Sequence, residues 1–185
     1  GVLCGPLQLA AARNEFEPAS FVSYSFKDVD KAELRVSPLT AKEGTIPAAS
    51  VDLKVVKCWY QTGTAWHSYF ADATGRSMVP ELLLNDETLV KVDTTTQDNY
   101  LRADYPEGAK YLWISFPASV KVPFNAERTP VADAKTLQPF RLDAGRFKQF
   151  WVTVKVPGNA VAGVYRGRIE ILCAGTAVAS VPLAV

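Results

Sequence analysis

Hydrophobic and polar positions alternate with a period of two through most of this chain, the spacing of half-buried β-strands. KAELRVSPL (31–39) sends Ala32, Leu34 and Val36 one way and Glu33, Arg35 and Ser37 the other. Just upstream, SFVSYSF (20–26) groups Val22, Tyr24 and Phe26 on one face, and KDVD (27–30) reads as the turn of a hairpin joining the two runs. VDLKVVKCWY (51–60) begins with Val51, Leu53 and Val55 inward. Its apolar phase then passes to Val56, Cys58 and Tyr60. One extra residue must absorb that change, so a β-bulge is expected near Val55–Val56.

AKYLWISFPASV (109–120) is apolar on both faces, with Leu112, Ile114 and Phe116 against Tyr111 and Trp113, which predicts a central strand covered on both sides. FKQFWVTVKVP (147–157) turns Phe150, Val152, Val154 and Val156 inward and Trp151, Thr153 and Lys155 outward. GRIEILC (167–173) and AVASVPLAV (177–185) flank a short turn at Ala174–Gly175. Ile169, Ile171 and Cys173 are expected inside, with Val181 and Leu183, and Pro182 suits an edge strand because it donates nothing to a ladder. Helix signals are weak. Residues 80–89, PELLLNDETL, could form a turn or two after Pro80. Residues 125–138 read as a long polar loop. The expected class is therefore all-β, an antiparallel sandwich of Ig-like or jelly-roll type, formed by residues 1–185 as one domain.

Composition adjusts this picture only slightly. At 185 residues, 48% hydrophobic and 21% charged, the chain has an ordinary globular make-up, and its net charge of +1 carries no basic block of the kind nucleic acid requires. No apolar run approaches the length of a membrane span. Cys4, Cys58 and Cys173 cannot all pair within the chain, and buried free thiols are the expectation. The chain starts on Gly1 and ends on VPLAV inside a strand pattern, which reads as a domain excised from a longer protein.

The densest chemistry lies in WYQTGTAWHSYF (59–70). Sugar rings present an apolar C–H face to Trp or Tyr, and their hydroxyls seek amides and acids. Trp59, Tyr60, Gln61, Trp66, His67 and Tyr69 supply that mixture, so the stretch is a candidate carbohydrate platform. The same residues equally suit core packing or an interdomain surface, because large aromatics dominate both. Catalytic signals are poor. His67 and Ser68 are strand neighbours that point apart. No G-x-S-x-G, P-loop, Rossmann glycine run or H-E-x-x-H occurs. Glu15, Glu81 and Asp86 are acids in unusual settings, expected to cap turns or bond backbone amides rather than act as a glycosidic acid pair. No loop carries a calcium pattern, and neither a metal nor a cofactor is expected.

Three segments together resemble the N-terminal β-sandwich domain of glycoside hydrolase family 123-like proteins. They are AARNEFEPASFVSY, VPELLL followed by NDETLVKVD, and the closing FWVTVKVPGNAVAGVYRGRIEI. In the last, Gly163 and Gly167 would allow tight entry to the final hairpin, with Tyr165 filling the gap between sheets. The resemblance implies a bacterial, secreted, periplasmic or cell-surface protein. It also implies a supporting domain whose partner is a separate catalytic barrel carrying the acids. No catalytic residue of the family maps onto this chain. An independent carbohydrate-binding module, a self-sufficient enzyme and an adhesion module are the alternative readings.

Overall fold

The computed structural model describes residues 5–61, 75–115, 124–125 and 127–185. The strands described are, in chain order, β1 (Leu7–Gln8), β2 (Phe16–Tyr24), β3 (Val29–Val36), β4 (Leu39–Ala41), β5 (Gly44–Ile46) and β6 (Val51–Gln61). They continue with β7 (Ser77–Leu84), β8 (Val90–Asp93), β9 (Asp98–Tyr105) and β10 (Gly108–Trp113). The last are β11 (Phe140–Leu142), β12 (Phe147–Lys155), β13 (Arg166–Cys173) and β14 (Thr176–Ala184). The chain divides into two compact units. One comprises the residues up to Val55 with Thr136–Val185, the other Val56–Lys135.

The first unit is a β-sandwich. One layer runs in the order β1-β14-β13-β3-β11, with β4 and β5 attached beside β13; the other contains β2, β12 and the start of β6. Alternation fixes what each layer buries. On β12, Phe150, Val152 and Val154 are fully buried, as the period-two pattern requires, and on β6 Val51, Leu53 and Val55 are buried, Val55 completely. Phe21 of β2 stands directly opposite Phe150 in the ladder, and the two rings stack at 5.2 Å. Phe140 of β11, from the facing layer, leans on the same Phe150 ring at 4.8 Å. Each such buried side chain contributes on the order of 1.5–3 kcal/mol. The closing hairpin β13–β14 turns through Ala174 and Gly175, both at positive φ (49° and 76°), the conformation a two-residue hairpin turn demands. Gly167 is required by space: a Cβ there would lie 2.6 Å from Leu39 Cδ2 and 2.8 Å from the Pro38 carbonyl. Tyr165 is buried, and its hydroxyl donates to the Val161 carbonyl at 2.9 Å. Gly163 meets nothing closer than Ala41 Cβ at 4.0 Å and is not sterically required.

The second unit holds the three-stranded antiparallel sheet β10-β9-β8, together with β7 and the end of β6. Among its described residues, Val79, Leu84, Leu89, Val90 and Ala103 are the buried apolar ones.

Several expectations need correction. β2 and β3 do not form a hairpin: β2 pairs with β12, and β3 with β13 and β11, so KDVD carries the chain from one layer to the other. Local alternation identifies a strand but not its partner. The face bearing Val22, Tyr24 and Phe26 is solvent-exposed (52%, 45% and 85%), because Phe21 takes the inward phase. Among the described residues β10 is an outer strand, and its Tyr111 and Trp113 are exposed rather than covered. β6 is continuous through Val55–Val56, and its strict burial alternation stops there, where the change of phase was expected. Cys58 is exposed and Cys173 partly so, both as free thiols, against the expectation of buried ones; Cys4 lies outside the described residues. Residues 80–84 belong to β7, and the only helical turn in 80–89 is a 3₁₀ turn at Glu87–Leu89, because Asp86 caps it and Pro80 is accommodated in the strand. Pro182 lies in β14, whose outer side is covered, among the described residues, by the two residues of β1.

Candidate functional site

Of the six candidate residues, Trp59, Tyr60 and Gln61 end β6, while Trp66, His67 and Tyr69 lie outside the described residues. Trp59 and Gln61 are two apart and share a face of the strand. Glu81, on the neighbouring β7, gathers both. Trp59 Nε1 donates to its Oε2 at 2.7 Å, and Gln61 Nε2 donates to the same oxygen at 3.0 Å. The result places an indole, an amide and a carboxylate side by side, with Glu81 exposed and the other two half-buried. That set can stack on an apolar ring and exchange hydrogen bonds with hydroxyls. It also fastens β6 to β7.

Tyr60 is held by its backbone. Asn99 of β9 is buried, accepts from Tyr60 N at 3.0 Å through Oδ1, and donates from Nδ2 to the Tyr60 carbonyl at 2.7 Å. Its own backbone N–H is bound to Ser115 Oγ at 2.7 Å and its carbonyl to Ile114 N at 2.9 Å. A buried amide with every group engaged fixes the position of the strand it grips. The sequence reading missed Asn99. Its signal is a polar residue in the same phase as Leu101 and Ala103 on β9.

A second cluster involves Arg76, which donates to Asp98 Oδ1 at 2.6 Å, to the Gln97 carbonyl at 2.9 Å and to the Ser115 carbonyl at 3.2 Å. The Trp113 side chain also hydrogen-bonds Asp98, and this bond, more than Arg76, holds the Asp98 carboxyl below the usual carboxylate range. A third centres on Asp86. Burial pushes its pKa up, but hydrogen bonds from Thr88 and Arg102 outweigh that and hold it below the ordinary value. Arg102 also reaches Asp104 at 3.0 Å. Asp133, in the 125–138 loop, accepts from the backbone N–H groups of Asn85 (2.7 Å) and Asp86 (2.8 Å) and pins that loop.

The flagged acids thus behave as turn and backbone partners in two of three cases. Glu15 accepts from Ala12 N, and Asp86 caps the Glu87–Leu89 turn. Glu81 instead binds the ring-rich stretch. Among the described residues no group of three His, Cys, Asp or Glu side chains could hold a metal ion, and no helix is long and apolar enough to cross a membrane.

Fold and site together define an all-β sandwich-type protein. No family profile matches the chain, and no curated protein matches it. Among solved structures it is similar to part of a family 123 glycoside hydrolase from Clostridium perfringens, studied for glycolipid glycan hydrolysis. The TM-score is 0.54, the sequence identity 11%, and the match covers 94% of this chain and 21% of that one. At this identity the likeness is one of fold. The chain spans about a fifth of that hydrolase.

Proposed function

We propose that residues 1–185 are a non-catalytic β-sandwich domain of a bacterial glycoside hydrolase-like protein, supporting or orienting a separate catalytic barrel of the same parent chain. The fold likeness carries this reading. Nearly the whole chain aligns with about one fifth of a glycoside hydrolase, so a domain of this fold serves there as a minor part of a much larger enzyme. In that setting the 59–70 stretch is a docking face or the rim of a cleft. The parent protein would be secreted, periplasmic or displayed at the cell surface, where polymeric and lipid-linked glycans are met.

A second reading, an independent carbohydrate-binding module, is favoured by the grouping of Trp59, Gln61 and Glu81. A glycan array separates the two. The supporting role predicts that the 185-residue chain retains no glycan, and that deleting it from the parent lowers the melting temperature of the remainder while kcat per folded molecule stays within about twofold, a change small on the transition-state scale. Glycan retention that disappears in Trp59→Ala would establish the module reading instead.

A further inference from the structure

The ladder of β2 with β12 ends where Tyr24 stands opposite Phe147. Phe26 follows two residues on, and the three rings form one cluster, with centroids 5.1 Å apart for Tyr24–Phe26 and 4.8 Å for Tyr24–Phe147. Phe26 and Phe147 are 85% and 74% exposed, more than any other large apolar side chain among the described residues. Two phenylalanines thus stand out into water from one tip of the sandwich, braced by a tyrosine. Apolar surface held out in this way marks a contact with a membrane or another molecule.

Geometry and charge at the tip favour a membrane. The rings make no platform for a sugar, because Phe26 lies at 78° to Tyr24 and Phe147 at 53° to it. Rings that protrude this far need a matching pocket in a protein partner, whereas the fluid headgroup–acyl boundary of a bilayer closes around them. The backbone beneath them is bonded internally, as an apolar medium demands. Ser25 N donates to the Arg146 carbonyl at 3.3 Å, Gly145 N to the Ser25 carbonyl at 2.8 Å, and Ser25 Oγ to the Lys27 carbonyl at 2.5 Å. The acids of this end, Asp28, Asp30 and Asp143, are gathered on Arg141 of β11, in the facing layer. Lys27 and Arg146, the immediate chain neighbours of the two phenylalanines, are in no ion pair among the described residues.

We propose that this tip docks on the surface of an anionic phospholipid bilayer, Phe26 and Phe147 entering the headgroup–acyl boundary while Lys27 and Arg146 meet lipid phosphates. The contact is peripheral. The two cations supply an attraction that salt screens, and the rings supply apolar burial that salt does not weaken. The contact does not depend on the glycoside hydrolase reading, since a bilayer free of glycan is its ligand.

Flotation of the 185-residue chain with vesicles of equal parts phosphatidylcholine and phosphatidylglycerol tests the proposal. The chain is expected to float with these vesicles, and to do so less with phosphatidylcholine alone or at high salt. Phe26→Ala combined with Phe147→Ala lowers partitioning at least about tenfold with an unchanged melting temperature, because withdrawing each ring from water is worth about a decade. Phe16→Ala, an exposed ring at the opposite end of β2, leaves partitioning intact. Lys27→Gln with Arg146→Gln removes the preference for phosphatidylglycerol. Phe26→Trp holds the test even if the double alanine variant misfolds: its added emission shifts to the blue on vesicles and is quenched by lipids brominated in their acyl chains. A chain that stays in the aqueous phase, partitioning indifferent to the ring pair or lost equally with Phe16→Ala, a phosphatidylglycerol preference that survives loss of both cations, or Phe26→Trp emission unchanged by vesicles would each overturn it. So would self-association in solution that the ring pair abolishes and vesicles do not compete with, which would assign the rings to a second copy.

Discussion

Asn99 and Tyr60 form a closed two-bond ring, amide to peptide, in which the side chain of one residue replaces a neighbouring strand for the other. The arrangement stabilises β6 where the ring-rich stretch begins. Removing the amide leaves a part-buried N–H and a part-buried C=O of Tyr60 unmet, at a cost of up to about 1–3 kcal/mol for each. Asn99→Leu is expected to lower stability to denaturant by about 2–4 kcal/mol. Amide exchange should show Tyr60 losing protection first. An exchange rate at Tyr60 equal to wild type would contradict the assignment.

Gly167 separates steric need from sequence pattern. Gly167→Ala meets the Pro38 backbone and Leu39, so about 1–3 kcal/mol of destabilisation is expected. Gly163→Ala, in the same motif, should change stability by less than about 0.5 kcal/mol. Thermal unfolding of the pair checks this, and equal losses would refute the contact.

The lowered carboxyl pKa values of Asp86 and Asp98 give a pH dependence of definite sign. A carboxylate depressed in the folded state stabilises above its unfolded pKa, near 4, and that contribution disappears as pH falls through the lower folded value. Stability should therefore fall below about pH 4. In Asp86→Asn the acid limb should be shallower, with lower stability at neutral pH. An unchanged acid limb would show that Asp86 is not linked to folding.

Glu81 orients Trp59 from an exposed position, so Glu81→Ala should cost no more than about 1 kcal/mol. The informative readout is the indole. Loss of the Nε1 partner should shift the tryptophan emission, and Gln61→Ala, which leaves the Trp59–Glu81 bond in place, should not.

The layers were legible wherever one strand repeats a single burial phase. β12 and the β13–β14 hairpin follow directly from Phe150, Val152, Val154 and the Ala174–Gly175 turn. Partner choice was not legible. Nothing local tells β2 to pair with β12, more than a hundred residues away, rather than with β3 across KDVD. Tyr111 and Trp113 mimic a doubly covered strand because exposed aromatics and buried ones look alike in sequence. At the site, the acids near Trp59 were visible as residues. The Trp59–Glu81 bond and the Asn99 clamp depend on strands brought together only by folding.

The central claim is tested most directly by a glycosidase assay on the purified 185-residue chain, using aryl glycosides and glycolipid glycans. A supporting domain predicts no turnover above the blank. Turnover that survives repurification and falls in Glu81→Gln would contradict the account.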